Sequence, residues 1–145
     1  MSMKTWKKEY YPITAAQAAR RGTLAACLHS LQKWEGLRGK NLKRHGLIRE
    51  GQWIRSTEDH DVLEIDNHSC ALCELVFKHA QEGTGCSTCP LYIVRQVPCG
   101  SRLTRERTSP YFLFTDYGYP RPMIRWLEKA VAWAKERAAH GKAKP

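Results

Sequence analysis

A small single-domain α+β fold is predicted by three features of this 145-residue chain: helical apolar periods at both ends, a stretch from 47 to 67 that loses that period, and two cysteine pairs directly after it. Helices from the N- and C-terminal parts should pack around a short strand pair and a cysteine-tied segment. A chain of this length buries about two-thirds of the surface its unfolded form exposes, enough for one core without obligatory cross-links. With 42% apolar residues, disordered, collagen-like and mucin-like classes are excluded.

The elements follow in order. Thr14-Ala15-Ala16-Gln17 fits a capping box, and the alanines behind it favour a helix up to Gly22. Leu24, Cys27, Leu28, Leu31 and Trp34 then recur at spacings of one helical face and are expected to face the core, with Gly36 ending the run. Residues 37–45 read as a short basic helix, Leu37 and Leu42 inward, Arg38, Lys40, Lys43, Arg44 and His45 outward, and Gly46 as the stop. Leu47-Ile48, Trp53-Ile54 and Val62-Leu63-Glu64-Ile65 predict two or three short strands and a hairpin. Over 120–140, Pro122 suits a first helical position, and two adjacent stripes, Ile124, Leu127, Val131, Ala134 and Met123, Trp126, Ala130, Trp133, make one broad apolar face. The tail from Gly141 should fray. Neither repeats nor low-complexity linkers divide the chain, so residues 1–145 form one domain: basic flanks at 14–46 and 101–140 around a cysteine segment at about 68–100.

That segment carries the most specific motif. Cys70-Ala71-Leu72-Cys73 and, twelve residues on, Cys86-Ser87-Thr88-Cys89 form two pairs whose two-residue gaps let both sulfurs aim at one centre. Two such knuckles complete the tetrahedral thiolate shell that zinc takes at about 2.3 Å per bond. A helix over Glu74–Ala80 and a return over Glu82–Gly85 would make a treble-clef-like zinc knuckle. Four protein donors leave no open position, so the zinc would be structural rather than catalytic. Cys99, His68 and His79 are substitutes for any one of the four, and Cys27 reads as a small buried hydrophobe. An iron–sulfur cluster and a redox-active dithiol are the rival uses of these cysteines.

Charge is distributed unevenly. Residues 1–56 hold 12 basic and 3 acidic side chains, residues 57–94 hold 1 and 7, and residues 95–145 hold 11 and 4, for a net charge of +10. A polyanion would therefore meet the flanks, since the acidic middle repels phosphate. The flanks contribute Arg38, Lys40, Lys43 and Arg44 on one side and Arg102, Arg105 and Arg107 on the other. Five of the nine residues from Tyr111 to Tyr119 are aromatic, with Phe112 and Phe114 expected inside and some of Tyr111, Tyr117 and Tyr119 outside. Aromatic faces beside guanidinium groups suit base stacking, and equally suit protein interfaces.

Several activities find little support. His60, in Glu58-Asp59-His60-Asp61, and Asn67-His68 hint at a metal-dependent nuclease, but this set precedes Cys70 instead of lying between the knuckles. No His-x-Glu accompanies Pro98-Cys99 as a zinc deaminase would require. No apolar run approaches the roughly 20 residues of a membrane span, and the basic start lacks the apolar segment of a signal peptide, so a cytoplasmic location and no membrane partner are expected.

Trp34, Leu37, the cysteine run with Pro90 and Leu91, Cys99, and Pro122-Met123-Ile124 with Leu127 together resemble small cysteine-knuckle accessory proteins of tailed bacteriophages and prophages. The resemblance spans about residues 30–130 and transfers no catalytic residue. It implies a protein that binds and redirects host machinery such as nucleases, polymerases or defence complexes, in the bacterial cytoplasm. The resulting expectation is a non-enzymatic, zinc-stabilised basic protein acting on nucleic acid or a host nucleoprotein complex. The alternative is an inhibitor or adaptor that grips a host protein, for example a defence or anti-CRISPR-type target, through its aromatic and arginine surface; a nuclease is the lesser one.

Overall fold

The computed structural model describes residues 2–79, 85–97, 99 and 109–143, without the side chains at 78, 79, 85, 142 and 143. The chain is α+β, with a three-stranded antiparallel sheet among helices.

The first helix, α1 (Met3–Tyr10), forms where the basic start was given no element. Its signals were present: Ser2 and Thr5 form a reciprocal cap, and Met3 and Trp6, three apart, are fully buried. Trp6 Nε1 donates to the Gly36 carbonyl at 2.8 Å, and a Cβ at Gly36 would overlap the Tyr10 ring. Only glycine there lets the two helices close. The Thr14 box caps α2 (Ala15–Arg20) as expected, with Thr14 Oγ1 accepting from the Gln17 backbone at 3.1 Å.

The central helix is α3 (Thr23–Gly36), which packs against α1, α2 and two later helices. Its buried face takes in the expected Cys27 and Trp34, with Leu24 and Leu31 half-buried against the core, but is wider than that stripe and leaves out Leu28. Leu28 is 42% exposed, while Ala26, Ser30 and Lys33 lie inward with Cys27 and Trp34. The expected stripe ranked Leu28 above Ser30 and Lys33 by hydropathy, but neighbours on several sides need a wide face with small residues where backbones approach.

Next comes α4 (Gly39–Arg44), with Leu37 and Leu42 buried as expected. His45, expected outside, is buried because α1 lies over it. Its Nδ1 meets Thr5 Oγ1 at 2.9 Å and its Nε2 meets Glu9 Oε2 at 2.8 Å. Gly46 stops the helix at φ +68°, a backbone region open to glycine at no steric cost.

Strands β1 (Leu47–Glu50), β2 (Trp53–Ser56) and β3 (Val62–Glu64) pair in sequence order, with Arg49 opposite Ile54 and Ile54 opposite Leu63. Leu47, Ile54 and Ser56 face inward, and Ile48, Trp53 and Val62 face out.

Beyond the sheet come α5 (Ala71–His79), α6 (Gly85–Thr88) and α7 (Pro90–Arg95). The aromatic stretch is itself helical, α8 (Pro110–Tyr117), begun by Ser109, whose Oγ accepts from the Phe112 backbone at 3.3 Å, and by Pro110 at the first position. Phe114 is fully buried edge-on to Trp34, with centroids 5.0 Å apart. Arg49 joins the sheet to this helix through a 3.0 Å bond to the Thr115 carbonyl.

The last helix, α9 (Arg121–Ala143), buries Met123, Ile124, Leu127, Ala130, Val131 and Ala134 against α3 and α7, matching both predicted stripes. Pro122 is its second residue rather than its first, and the helix continues through Gly141 instead of fraying there. Buried side chains from Met3 to Ala134 form one contiguous cluster. Among the described residues no helix is long and apolar enough to cross a membrane.

Candidate functional site

The cysteine pairs sit on helix starts, not on the tight turns their spacing suggested. Cys70 immediately precedes α5 and Cys73 lies in its first turn, because Ala71 and Leu72 are helix formers buried in the core. Cys86 belongs to α6, and Cys89 caps α7, which Pro90 initiates. The predicted helix thus begins at Ala71 rather than Glu74, and the return over 82–84 lies outside the described residues. A treble-clef layout is not visible among the residues described.

The loop before α5 is well anchored. Asp66 Oδ1 accepts from the backbones of His68 at 2.9 Å and Ser69 at 3.2 Å, and so presents Cys70 to the helix. The Cys73 thiol and the Cys73 and Leu72 backbone N–H groups converge on the Cys70 sulfur. With the Lys33 ammonium close by, they hold the Cys70 thiol well below the ordinary range. Cys73, as the donor of that pair and itself buried, is held above it. Burial pushes the Cys89 thiol up to about 11 and the Cys27 and Cys99 thiols up to about 12. Cys27 sits inside the core as expected.

Cys70, Cys73 and Cys99 line one cavity of about 330 Å³. Its floor carries polar groups that an apolar core does not need. Lys33 is 1% exposed and donates from Nζ to the Ser69 carbonyl at 2.8 Å. Burial pushes this ammonium down in pKa, and the thiols of Cys70 and Cys73 and the Asp66 carboxylate oppose the shift. Ser30 Oγ is buried without a hydrogen-bond partner. Tyr111, one of the predicted contact residues, is half-buried on the same wall, its hydroxyl donating to the Ile65 carbonyl at 2.6 Å.

The remaining donors stand apart. Cys86 is exposed, and His68 is exposed on a shallow recess beside Cys73 and Glu74. The His79 side chain lies outside the described residues. Among the described residues, no three His, Cys, Asp or Glu side chains are gathered closely enough to hold an ion as they stand. His60 sits on the exposed turn before β3 with φ +60°.

The predicted basic cluster divides in two. Arg38 is engaged by Glu35 at 2.6 Å, and Arg44 by Glu9 at 2.7 Å and the Tyr10 hydroxyl at 2.6 Å. Lys40 and Lys43 are exposed. The clamp on Arg44 docks α1 against α4, and α1 carries exposed Lys4 and Lys8, which the sequence reading left unassigned. Arg102, Arg105 and Arg107 lie outside the described residues. Tyr117 and Tyr119 are 59% and 58% exposed and stack at 6.0 Å with 16° between planes.

A second cation–aromatic surface on α9 was missed. Lys129 lies 4.5 Å over the Trp126 ring, Arg95 approaches the same ring at 5.6 Å, and Arg137 lies 5.0 Å over Trp133. The helical spacing of three and four was the available signal, but reading both tryptophans as core concealed it.

The chain matches no protein-family model, no curated protein and no solved structure.

Proposed function

We propose that this chain is a non-enzymatic basic protein that binds nucleic acid or a nucleoprotein complex, its cysteine region stabilised by zinc. The observation that carries the reading is the docking of α1 on α4 through Glu9, Arg44 and His45, two helices that each carry exposed lysines, Lys4 and Lys8 on the first and Lys40 and Lys43 on the second. Exposed cations of this kind supply the neutralisation that a phosphate backbone requires. Trp126 and Trp133, already faced by cations, add a surface suited to stacking.

The donor chemistry suits zinc, since thiolates are its preferred ligands and Cys70, Cys73 and Cys99 line one cavity. Held by Cys70, Cys73, Cys86 and Cys89, the metal would act as a cross-link among α5, α6 and α7. All other functional work would fall to the cationic and aromatic side chains.

Fluorescence anisotropy with a labelled single-stranded oligonucleotide and its duplex tests the reading. Affinity should fall linearly with the logarithm of salt concentration, and Lys40→Glu with Lys43→Glu should lower that slope by about 1.5. An unchanged affinity and slope would overturn it. A protein partner is the second reading, favoured by the stacked, exposed Tyr117 and Tyr119. It requires binding that survives high salt and is lost in the Tyr117→Ala, Tyr119→Ala double variant.

A further inference from the structure

We infer that the metal of this centre is held by Cys70, Cys73, Cys89 and Cys99, and that Cys86, despite its place in the second pair, remains a free thiol. The inference rests on the zinc reading above and reassigns one of its four donors.

Burial separates the cysteines. Cys70, Cys89 and Cys99 pack against the hydrophobic core, whereas Cys86 on α6 faces solvent. Cys70, Cys73 and Cys99 share the wall of one cavity, which neither Cys86 nor Cys89 lines; Cys89 is joined to them by the hydrophobic core it packs against, and Cys86 is not. Thiolate metal centres of the closed kind exclude water and are shielded by apolar neighbours, a setting that Trp34, Leu72 and Leu91 provide around the cavity. The same wall holds the Lys33 ammonium and the unpartnered Ser30 hydroxyl. Four thiolates around Zn²⁺ carry a net charge of −2, and a buried lysine beside them offsets part of it. Lys33 is already buried against the Ser69 carbonyl beside the Cys70 sulfur, so a charge that an anionic centre needs is in place. The sulfurs are not gathered at ligand distance in the chain alone. The metal itself would supply the attraction that closes the set, as in other centres whose folding and metal binding are coupled.

The motif misleads for a physical reason. The Cys86-x-x-Cys89 spacing can bring two sulfurs together, but here it straddles a helix boundary, with Cys86 inside α6 and Cys89 capping α7.

Elemental analysis and Co²⁺ absorption spectra of the full chain, compared with Cys86→Ser and Cys99→Ser, test the assignment. The expected result is one zinc per chain and an unchanged cobalt spectrum in C86S, with zinc affinity lowered by more than about tenfold in C99S. Zinc retained in C99S, or lost in C86S, overturns the assignment while leaving the zinc reading intact. A wild-type chain that takes up no zinc ends both. Because C99S could fail to fold, the metal-loaded wild type is also treated with iodoacetamide and mapped by mass spectrometry. Cys86 should be alkylated first, and Cys70, Cys73, Cys89 and Cys99 only after a chelator is added. Early alkylation of Cys99 with protection of Cys86 overturns the inference without any variant.

Discussion

At the corner where α1 meets α3 and α4, the polar groups that packing draws inward find partners in the chain: Trp6 Nε1 on Gly36, His45 on Thr5 and Glu9, Arg44 on Glu9 and Tyr10. At the cysteine corner the chain leaves such needs open. Ser30 Oγ has no partner, Lys33 has one carbonyl, and buried thiols border a cavity. Both corners lean on α3, so the difference lies in what surrounds it. A region whose polar groups satisfy one another is complete as a fold. A region that buries an ammonium and thiols around a cavity is where the zinc proposed above would be held.

The strongest test of that contrast removes the anchor of the complete corner. Trp6→Ala should cost about 3–5 kcal/mol of stability, measured by urea denaturation, and the loss should be equal with and without zinc. A cost that depends on zinc would mean that the two corners are not independent. Ser30→Ala is a smaller change with the opposite expectation. Replacing a buried hydroxyl that has no partner should leave the urea midpoint unchanged or raise stability by up to about 1 kcal/mol, and a clear loss would show that the hydroxyl is satisfied after all.

The smallest effect concerns Glu9, an exposed carboxylate whose pKa is lowered from 4.5 to about 2 by bonds from Arg44 and His45. Because its folded value lies below its unfolded value, its contribution is complete above about pH 4.5 and is lost as pH falls toward about 2. In thermal melts from about pH 5 down to about pH 2, the difference between wild type and Glu9→Gln should therefore narrow steadily. A constant difference across that window would show that the clamp on Arg44 does not stabilise the corner.

Much of this architecture was legible beforehand. The Thr14 cap, the inward Leu37 and Leu42, the strands from 47 to 65 and both stripes of the last helix follow from local rules, namely a hydroxyl three residues before an amide, glycine at a stop, and apolar residues at helical spacing. The misreadings share a different origin. Met3 and Trp6 sit among lysines, so that composition showed only a basic start, although the spacing of the two apolar residues already marked a helix. The bond from the Tyr111 hydroxyl to the Ile65 carbonyl joins residues 46 apart and has no local sign either. His45 is expected outside on its polarity, and nothing local marks Lys33 for burial; in each case the partner arrives from 36 residues away.

The sequence by itself determined the class of fold, the positions of its caps and stops, and the presence of two cysteine pairs in an acidic middle between basic flanks. These are properties of neighbours along the chain, where period and propensity act. Tertiary structure alone decided that Lys33 is buried while Leu28 is not, that Cys99 shares a cavity with Cys70 and Cys73 while Cys86 faces solvent, and that Arg44 is taken up by Glu9 of α1. Which side chains lose their water depends on what packs over them from elsewhere in the chain, and no local pattern encodes that.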